Sequence, residues 1–120
     1  MKVYIAGFDV FAGDAGVRRV RAIEACRARG LVPLHPLDNV AQTSWDIYEG
    51  NVGLIREADV VVANLNPFRG PCEPDAGTAF EVGFARALDK PVWAYADDVS
   101  SMRERMGATD ACGYNVEDFD

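Results

Sequence analysis

The feature that most constrains the fold is an apolar strand that leads through a Pro/Gly-rich loop into a helix. The strand covers residues 59–65 and the loop residues 66–77, and the helix is predicted to open at Thr78 and run towards Leu88. A strand that is apolar almost throughout is typical of a parallel sheet covered on both faces. In such sheets ligands bind beyond the carboxyl ends of the strands. The unit therefore predicts an α/β fold with a site near the start of this helix.

The rest of the chain repeats the alternation of strand and helix. Asp14 and Gly30 are predicted to cap the first helix at its two ends, Thr43 or Ser44 to cap the second, and Pro33 to mark an edge strand. The predicted strands are residues 1–6, 31–34 and 92–96, the helices 15–29 and about 44–58, with a short helix within 97–106 and a polar end at 107–120. The order predicts a three-layer, flavodoxin- or Rossmann-like parallel sheet in a single domain, residues 1–120.

Composition argues against several partners. The net charge of −7 disfavours nucleic acid and anionic membrane surfaces, which need a basic face. No run approaches the roughly 20 apolar residues of a membrane helix, and the N-terminus opens directly on a strand, so no signal peptide is expected. Cys26, Cys72 and Cys112 are far apart and odd in number, which favours reduced thiols in the cytoplasm. No acid or histidine cluster has ligand spacing, so neither a metal nor an organic cofactor is expected.

The predicted strand ends bring together side chains suited to a flat ring and to hydroxyl groups. They are Gly7, the aromatic residues Phe8, Phe11 and Phe68, the amides Asn39, Asn64 and Asn66, the acids Asp9, Asp38 and Asp75, and Arg69. The first loop lacks the GxGxxG pattern of a dinucleotide site. Its acids Asp9 and Asp14 would repel a phosphate, so NAD and ATP are set aside.

Glu81 is the candidate centre of the site and has two interpretations. Thr78-x-x-Glu81 matches a capping box, in which Glu81 would only bond the Thr78 amide. However, Gly77 and Gly83 leave open backbone near the carboxylate, as an approaching ligand requires. A helix N-terminus also favours an ionised carboxylate, which can attack an anomeric carbon and form a glycosyl-enzyme. These features favour a nucleophile.

Other residues have an ordinary structural interpretation from their position alone. The pattern places Asp75 as a loop or helix-entry acid, Asp59 as a solvated turn acid, Tyr4 in the core, His35 at the surface, and Trp45 and Trp93 in packing contacts.

A long series of motifs resembles the nucleoside 2-deoxyribosyltransferase family. The motifs lie at residues 4–7, 11, 37–39, 58–60, 64–70, 73–83 and 90–92, in family order over nearly the whole chain. The most specific are PFRG at 67–70 and EPDAGTAFEVG at 73–83. The resemblance implies a transferase that moves 2-deoxyribose between nucleobases, with 2′-deoxynucleosides and free bases as its substrates, in nucleotide salvage.

The resemblance also implies roles for individual residues. Glu81 would attack C1′ to give a covalent deoxyribosyl-enzyme, and a second base would then attack the same carbon, so that configuration is retained. Tyr4 would orient Glu81, while Asp59 and Asp75 match two aspartates that hold or protonate the substrate. Phe8, Phe11 and Phe68 would line the base pocket, and the predicted substrate-binding set also includes Gly7, Asn39, Asn64 and Gly77.

Two features depart from the family pattern. Val40 follows Asn39 where some members carry a glutamine that touches the base, so base recognition is expected to differ. Residues 113–119 resemble the lead-in to an Asn-Leu-Met segment that donates an asparagine to the site of a neighbouring subunit, and the chain ends before that segment. The resemblance thus implies a homo-oligomer with a site shared across the interface.

Two alternatives remain open at this point. One is a hydrolase that cleaves 2′-deoxynucleoside 5′-monophosphates, for which Arg18, Arg19 and Arg69 would supply positive charge. The other is a non-catalytic nucleoside-binding module on the same fold.

Overall fold

The chain alternates strands and helices, as the sequence predicts. The computed structural model describes residues 1–117. Within them lie β1 (Lys2–Ala6), α1 (Ala15–Arg27), β2 (Val32–Leu34), α2 (Ser44–Glu57), β3 (Val60–Asn64), α3 (Ala76–Ala87), β4 (Val92–Tyr95) and α4 (Met102–Met106). Short 3-10 turns, Phe8–Phe11 and Pro36–Asp38, follow the first two strands.

The four strands of residues 1–117 form one parallel sheet in the order β2-β1-β3-β4. Tyr4 in β1 lies beside Val61 in β3, and Val61 lies beside Val92 in β4. Pro33 is in the edge strand β2, as predicted, because a proline cannot donate to a neighbouring strand on both sides. The predicted parallel α/β fold is confirmed, and the carboxyl ends of β1 and β3 meet at the middle of one sheet edge.

The core lies where α2 and α3 pack against β1 and β3. Its fully buried members include Tyr4, Ile55, Val61, Ala63 and Ala85. Burying a side chain the size of Ile55 or Val61 stabilises the fold by roughly 1.5–3 kcal/mol. Tyr4 therefore packs in the core, and its hydroxyl reaches out of that core towards α3.

The helix ends agree with the sequence except at α3 and α1. Thr43 caps α2 through the amide of Asp46, at 3.1 Å. The Thr78–Glu81 capping box, the alternative interpretation of Glu81, is not formed, because α3 begins at Ala76 and Asp75 is its N-cap, accepting from the Thr78 amide at 2.8 Å. Asp14 makes no capping bond, since its carboxylate accepts from Arg18 instead.

The positional predictions for His35 and Trp93 are wrong, and the one for Trp45 holds only in part. His35 is buried, and its ring Nδ1 accepts from the Leu37 amide at 3.2 Å, which closes the turn after β2. Burial lowers the pKa of His35, which keeps the ring neutral and able to accept. Trp45 and Trp93 are exposed at 66% and 72%. Trp45 contacts the ring of Tyr48 in the same helix, but no other element of residues 1–117 covers either tryptophan.

The C-terminal segment packs lightly on the domain. Val116 is buried, its carbonyl accepts from Arg103 at 3.0 Å, and Tyr114 is exposed. The end of the motif at residues 113–119 lies outside the described residues. None of the helices in residues 1–117 has the length and apolar character needed to cross a bilayer.

Candidate active site

Glu81 lies on the buried side of α3, and its carboxylate is held through one oxygen. Oε1 accepts from the Tyr4 hydroxyl at 2.7 Å and from Asn51 Nδ2 at 3.0 Å. Oε2 accepts no hydrogen bond from the described residues and is not among their fully buried, unpartnered atoms. Because Glu81 lines a cavity, Oε2 is the oxygen that faces it.

Burial sets the protonation of this pair. Desolvation of the carboxylate raises the pKa of Glu81 to about 7, outweighing the bonds from Tyr4 and Asn51, and the charge of Asp75 adds to the rise. The helix N-terminus does not dominate the pKa of Glu81 as expected, because α3 begins at Ala76 and desolvation outweighs other effects at Glu81. Burial and the Glu81 charge also raise the pKa of Tyr4, which therefore stays a neutral donor.

Asn51 belongs to the site, a role that the sequence analysis did not predict; it lies on the stripe of α2 that packs towards the sheet and α3. Its Nδ2 donates to Glu81, and its Oδ1 accepts from Asn39 Nδ2 at 2.8 Å. The available signal was an amide among the apolar residues of that stripe, next to Ile47, Leu54 and Ile55. Thirty residues separate Asn51 from Glu81, so only the folded chain shows which group it meets.

A cavity of about 440 Å³ opens beside Glu81 at the carboxyl edge of the sheet. Its size falls within the range of small-molecule sites. The predicted residues Gly7, Phe11, Asn39, Asp75, Gly77 and Glu81 all line it, together with Val10, Pro36, Leu37, Ala41, Ile47, Asn51 and Thr78. Tyr4 does not line the cavity itself, but its hydroxyl donates to Glu81, which does.

The three predicted aromatic residues form one stack of rings, and only one of them reaches the cavity. The ring of Phe68 stacks on Phe8 and Phe11, with centroids 5.0 and 5.5 Å apart and planes inclined by 16° in both pairs. Of the three rings, only Phe11 lines the cavity. The prediction that Phe8 and Phe68 line it is wrong, because Phe68 stacks on Phe11 and Phe8 contacts Phe68. The Arg69 guanidinium lies over Phe68 and Phe11, at 4.8 and 5.4 Å from the ring centroids.

Asn64 supports the first loop and does not line the cavity. Its Nδ2 donates to Asp9 at 2.9 Å, and Asp9 also pairs with Arg18 at 2.7 Å. Burial tends to raise the pKa of Asp9, but the bonds from Asn64 and Arg18 hold it below its usual value. A Cβ on Gly7 would lie 3.0 Å from the Asn64 Cβ, so glycine permits the close approach of β1 and β3 here.

Asp75 has a structural task as well as a place in the cavity. Its Oδ2 accepts from both the amide and the hydroxyl of Thr78, at 2.8 and 3.1 Å. A Cβ on Gly77 would lie 3.0 Å from that same Oδ2, so glycine leaves room for the cap. Asp75 therefore holds the start of α3 while it lines the cavity.

Asp59 is not brought to the site, so its predicted catalytic role is withdrawn. It is exposed just before β3, where its carboxylate accepts from the Lys2 amide at 2.6 Å. β3 is five residues long, which separates its two ends by roughly 16 Å. The solvated turn acid inferred from position alone is what the structure shows.

The donor set does not resemble a metal centre. In residues 1–117, no group of three or more His, Cys, Asp or Glu side chains is placed to hold a metal ion.

Together, the parallel sheet, the cavity and the anchored carboxylate define an α/β protein with a small-molecule site built around Glu81. The sequence profile of the nucleoside 2-deoxyribosyltransferase family matches residues 3–120. The fold is similar to that of a 2-deoxyribosyltransferase from Leishmania mexicana, with a TM-score of 0.88 and 40% identity, covering 98% of this chain and 79% of that one.

Two curated relatives are also similar. One, from Thermofilum pendens, is named putative 2′-deoxynucleoside 5′-phosphate N-hydrolase 1 and is 32% identical over 132 residues, 99% of this chain and 82% of the relative. The other is an uncharacterized protein of Schizosaccharomyces pombe, 31% identical over 113 residues, 87% of this chain. The matched region is 54% of that yeast protein, so the chain spans about half of its length.

The chain belongs to the nucleoside 2-deoxyribosyltransferase family. The family and the fold support an enzyme of the deoxyribosyltransferase or N-glycosidase type.

Proposed function

We propose that this protein exchanges the nucleobases of 2′-deoxynucleosides through a deoxyribosyl ester on Glu81. The observation that carries the proposal is the Glu81 carboxylate, anchored by Oε1 and open at Oε2, in the wall of the cavity. A carboxylate fixed in this way is positioned to attack an anomeric carbon.

The exchange has two balanced steps. A carboxylate lone pair forms a bond to C1′ while the C1′–N bond breaks, and the first base leaves with that electron pair and takes up a proton from water. A nitrogen of the second base then attacks C1′, the ester bond breaks, and this base gives up a proton. Because a 2-deoxy sugar lacks the electron-withdrawing 2-hydroxyl, its oxocarbenium-like transition state is easier to reach, and positioning supplies much of the catalysis.

The charges around the cavity favour an uncharged nucleoside over its 5′-monophosphate. Asp75 and Glu81 are acidic, and the described lining residues include no cationic side chain. Arg18 is engaged by Asp9 and Asp14, and Arg19 by Asp38. The first turn of α3, where a phosphate could bind, is instead capped by the Asp75 carboxylate.

The ring of Phe11 supports recognition of a nucleobase. Phe11 presents a ring to the cavity that Phe68 braces by stacking, and a base can stack on such a surface. Asn39, at the end of the turn after β2, supplies an amide to the same cavity.

Base exchange is the direct test. The protein is incubated with thymidine and adenine, and separately with deoxyinosine and cytosine, and products are separated by chromatography. New deoxynucleosides are expected with the wild type and with Glu73→Gln, an exposed glutamate of the adjoining loop, and are expected to vanish with Glu81→Gln. Exchange that survives Glu81→Gln, or binding of a nucleoside without any release of base, would exclude the proposal.

Hydrolysis of deoxynucleoside 5′-monophosphates is the second candidate. It is favoured by the name of the Thermofilum pendens relative and by Arg69, which lies over the cavity-lining Phe11 and makes none of the ion pairs found among residues 1–117. Release of free base from the monophosphate faster than exchange on the nucleoside would select this reaction.

We also propose that the protein forms a homo-oligomer whose subunit interface lies next to the site. Trp45, Tyr48, Phe80 and Phe84 form a continuous row of ring contacts with centroids 5.1–5.9 Å apart. The first three are exposed, and Tyr48 and Phe80 border a smaller cavity that also reaches Glu81. We expect Trp45→Ala to lower the mass seen by light scattering; an unchanged mass would exclude this surface.

The proposed setting is nucleotide salvage in the cytoplasm, where the free thiols Cys26, Cys72 and Cys112 stay reduced.

A further inference from the structure

Two asparagines form a hydrogen-bonded chain that ends on the candidate nucleophile. Asn39 Nδ2 donates to Asn51 Oδ1 at 2.8 Å, and Asn51 Nδ2 donates to Glu81 Oε1 at 3.0 Å. We propose that Asn51 is a positioning residue that binds Glu81 through Oε1 and leaves Oε2 as the attacking atom. In this proposal Asn39, which packs against Gly50, fixes the orientation of the Asn51 amide. The catalytic consequence rests on the proposed function.

The charge of Glu81 dictates the direction of this chain. An ionised carboxylate only accepts hydrogen bonds, so Asn51 must turn its NH₂ group towards Glu81. The carbonyl of Asn51 then points to Asn39, and Asn39 must in turn present its NH₂ group. A flipped amide at either position would place two acceptors or two donors face to face, so each amide fixes the other.

Gly50 leaves the space that the Asn39 amide occupies in this arrangement. A Cβ built on Gly50 would lie 2.7 Å from Asn39 Cγ and 2.8 Å from Asn39 Nδ2. Glycine weakens a helix interior relative to alanine, yet here it lies within α2, beside the amide that it accommodates. An alanine at this position would push the Asn39 amide away, because the three atoms nearest to its Cβ all belong to that amide.

Holding Oε1 with two donors separates the roles of the two carboxylate oxygens. In the ester intermediate the deoxyribosyl group is on Oε2, and Oε1 becomes the carbonyl oxygen, which still accepts from Tyr4 and Asn51. The same anchors therefore serve the carboxylate and the ester, and the side chain does not need to rotate between the two steps.

The bond from Asn51 also favours the ionised, attacking form of the carboxylate. It lowers the pKa of Glu81 against the opposing effect of burial. Loosening Asn51 is therefore expected to move the pKa of Glu81 upward and to reduce kcat, because fewer molecules carry the charged and correctly placed oxygen.

Gly50→Ala and Gly53→Ala form a matched pair of variants on α2. A Cβ on Gly53 would meet nothing within 4 Å, so Gly53→Ala controls for the change in helix propensity. We expect Gly50→Ala to lower kcat by about 3- to 10-fold and to raise the pKa of Glu81 by about half a unit, while Gly53→Ala changes neither. Asn51→Leu is expected to lower kcat by about 10- to 100-fold.

A double-mutant cycle isolates the chain of contacts. If Gly50→Ala acts by displacing Asn39, it has no further effect on kcat in an Asn39→Ala background. Titration of the ¹³C-labelled Glu81 carboxyl by NMR measures its pKa without substrate. The effect of the Asn39–Asn51–Glu81 hydrogen bonds can therefore be tested even if the protein exchanges no bases. Equal Glu81 pKa values in Gly50→Ala and Gly53→Ala would overturn the proposal. So would effects of Gly50→Ala and Asn39→Ala on kcat that multiply in the double variant.

Discussion

The buried carboxylate of Glu81 is expected to make the stability of the fold depend on pH. Its pKa in the folded protein is about 7, compared with 4.5 for an unperturbed glutamate. Because the folded pKa is the higher one, the folded protein binds this proton more tightly than the unfolded chain, and stability is lost as the pH rises from about 4.5 to above 7. A difference of about 2.5 pH units, at about 1.36 kcal/mol for each, corresponds to roughly 3 kcal/mol at about pH 8.

Glu81→Gln isolates this effect, since glutamine keeps the shape of the side chain and cannot ionise. Relative to the wild type, the variant should gain roughly 3 kcal/mol between about pH 4 and about pH 8. Urea unfolding at both pH values measures this change, and comparing the two values cancels any constant effect of the amide. Glu73→Gln, at an exposed position, should stay within about 0.5 kcal/mol at both. A difference between Glu81→Gln and wild type that does not vary with pH would refute the reasoning.

Three further perturbations test neighbouring contacts. Tyr4→Phe removes a donor to ionised Glu81, so the acid limb of the pH–rate profile should move to higher pH and the rate at about pH 7 should fall roughly tenfold; an unmoved limb would count against this role. Lys90→Met removes an ammonium that donates to the Arg56 and Ala58 carbonyls at the end of α2, at 2.9 and 2.5 Å. The variant should lose about 1 kcal/mol of unfolding free energy, measured with urea, and unchanged stability would contradict the contact. Asp75→Ala should lose about 1–2 kcal/mol with the α3 cap, while Asp75→Asn keeps that cap; a similar loss of stability in both variants would argue against capping.

The fold could be predicted because its signals are local. The apolar run at β3, the proline of the edge strand β2 and the Thr43 cap each depend on a few neighbouring residues, and the structure confirms them. The predicted start of α3 at Thr78 differs from the observed start at Ala76 for a physical reason. Asp75 and Thr78 are both residue types that cap helices, and the sequence pattern does not show which one the chain uses.

Within the site, contacts between distant parts of the chain were the hardest to predict. The family resemblance implied that Tyr4 orients Glu81, and the structure shows a hydrogen bond between the two side chains. The same resemblance misplaced Asp59, because a residue before β3 and the site after it lie at opposite sheet edges. Asn51 was overlooked because an amide on a helix stripe has no distinctive pattern until α2 packs against α3.

The central claim is that Glu81 forms a bond to the sugar, and the most direct measurement is the mass of the trapped protein. A 2-fluoro-substituted deoxynucleoside slows both steps, because the fluorine withdraws electrons from the developing oxocarbenium ion. We predict an added mass of one fluorodeoxyribosyl group that maps to the peptide containing Glu81 and is absent from Glu81→Gln. Release of base with no adduct, or an adduct on another residue, would contradict the account.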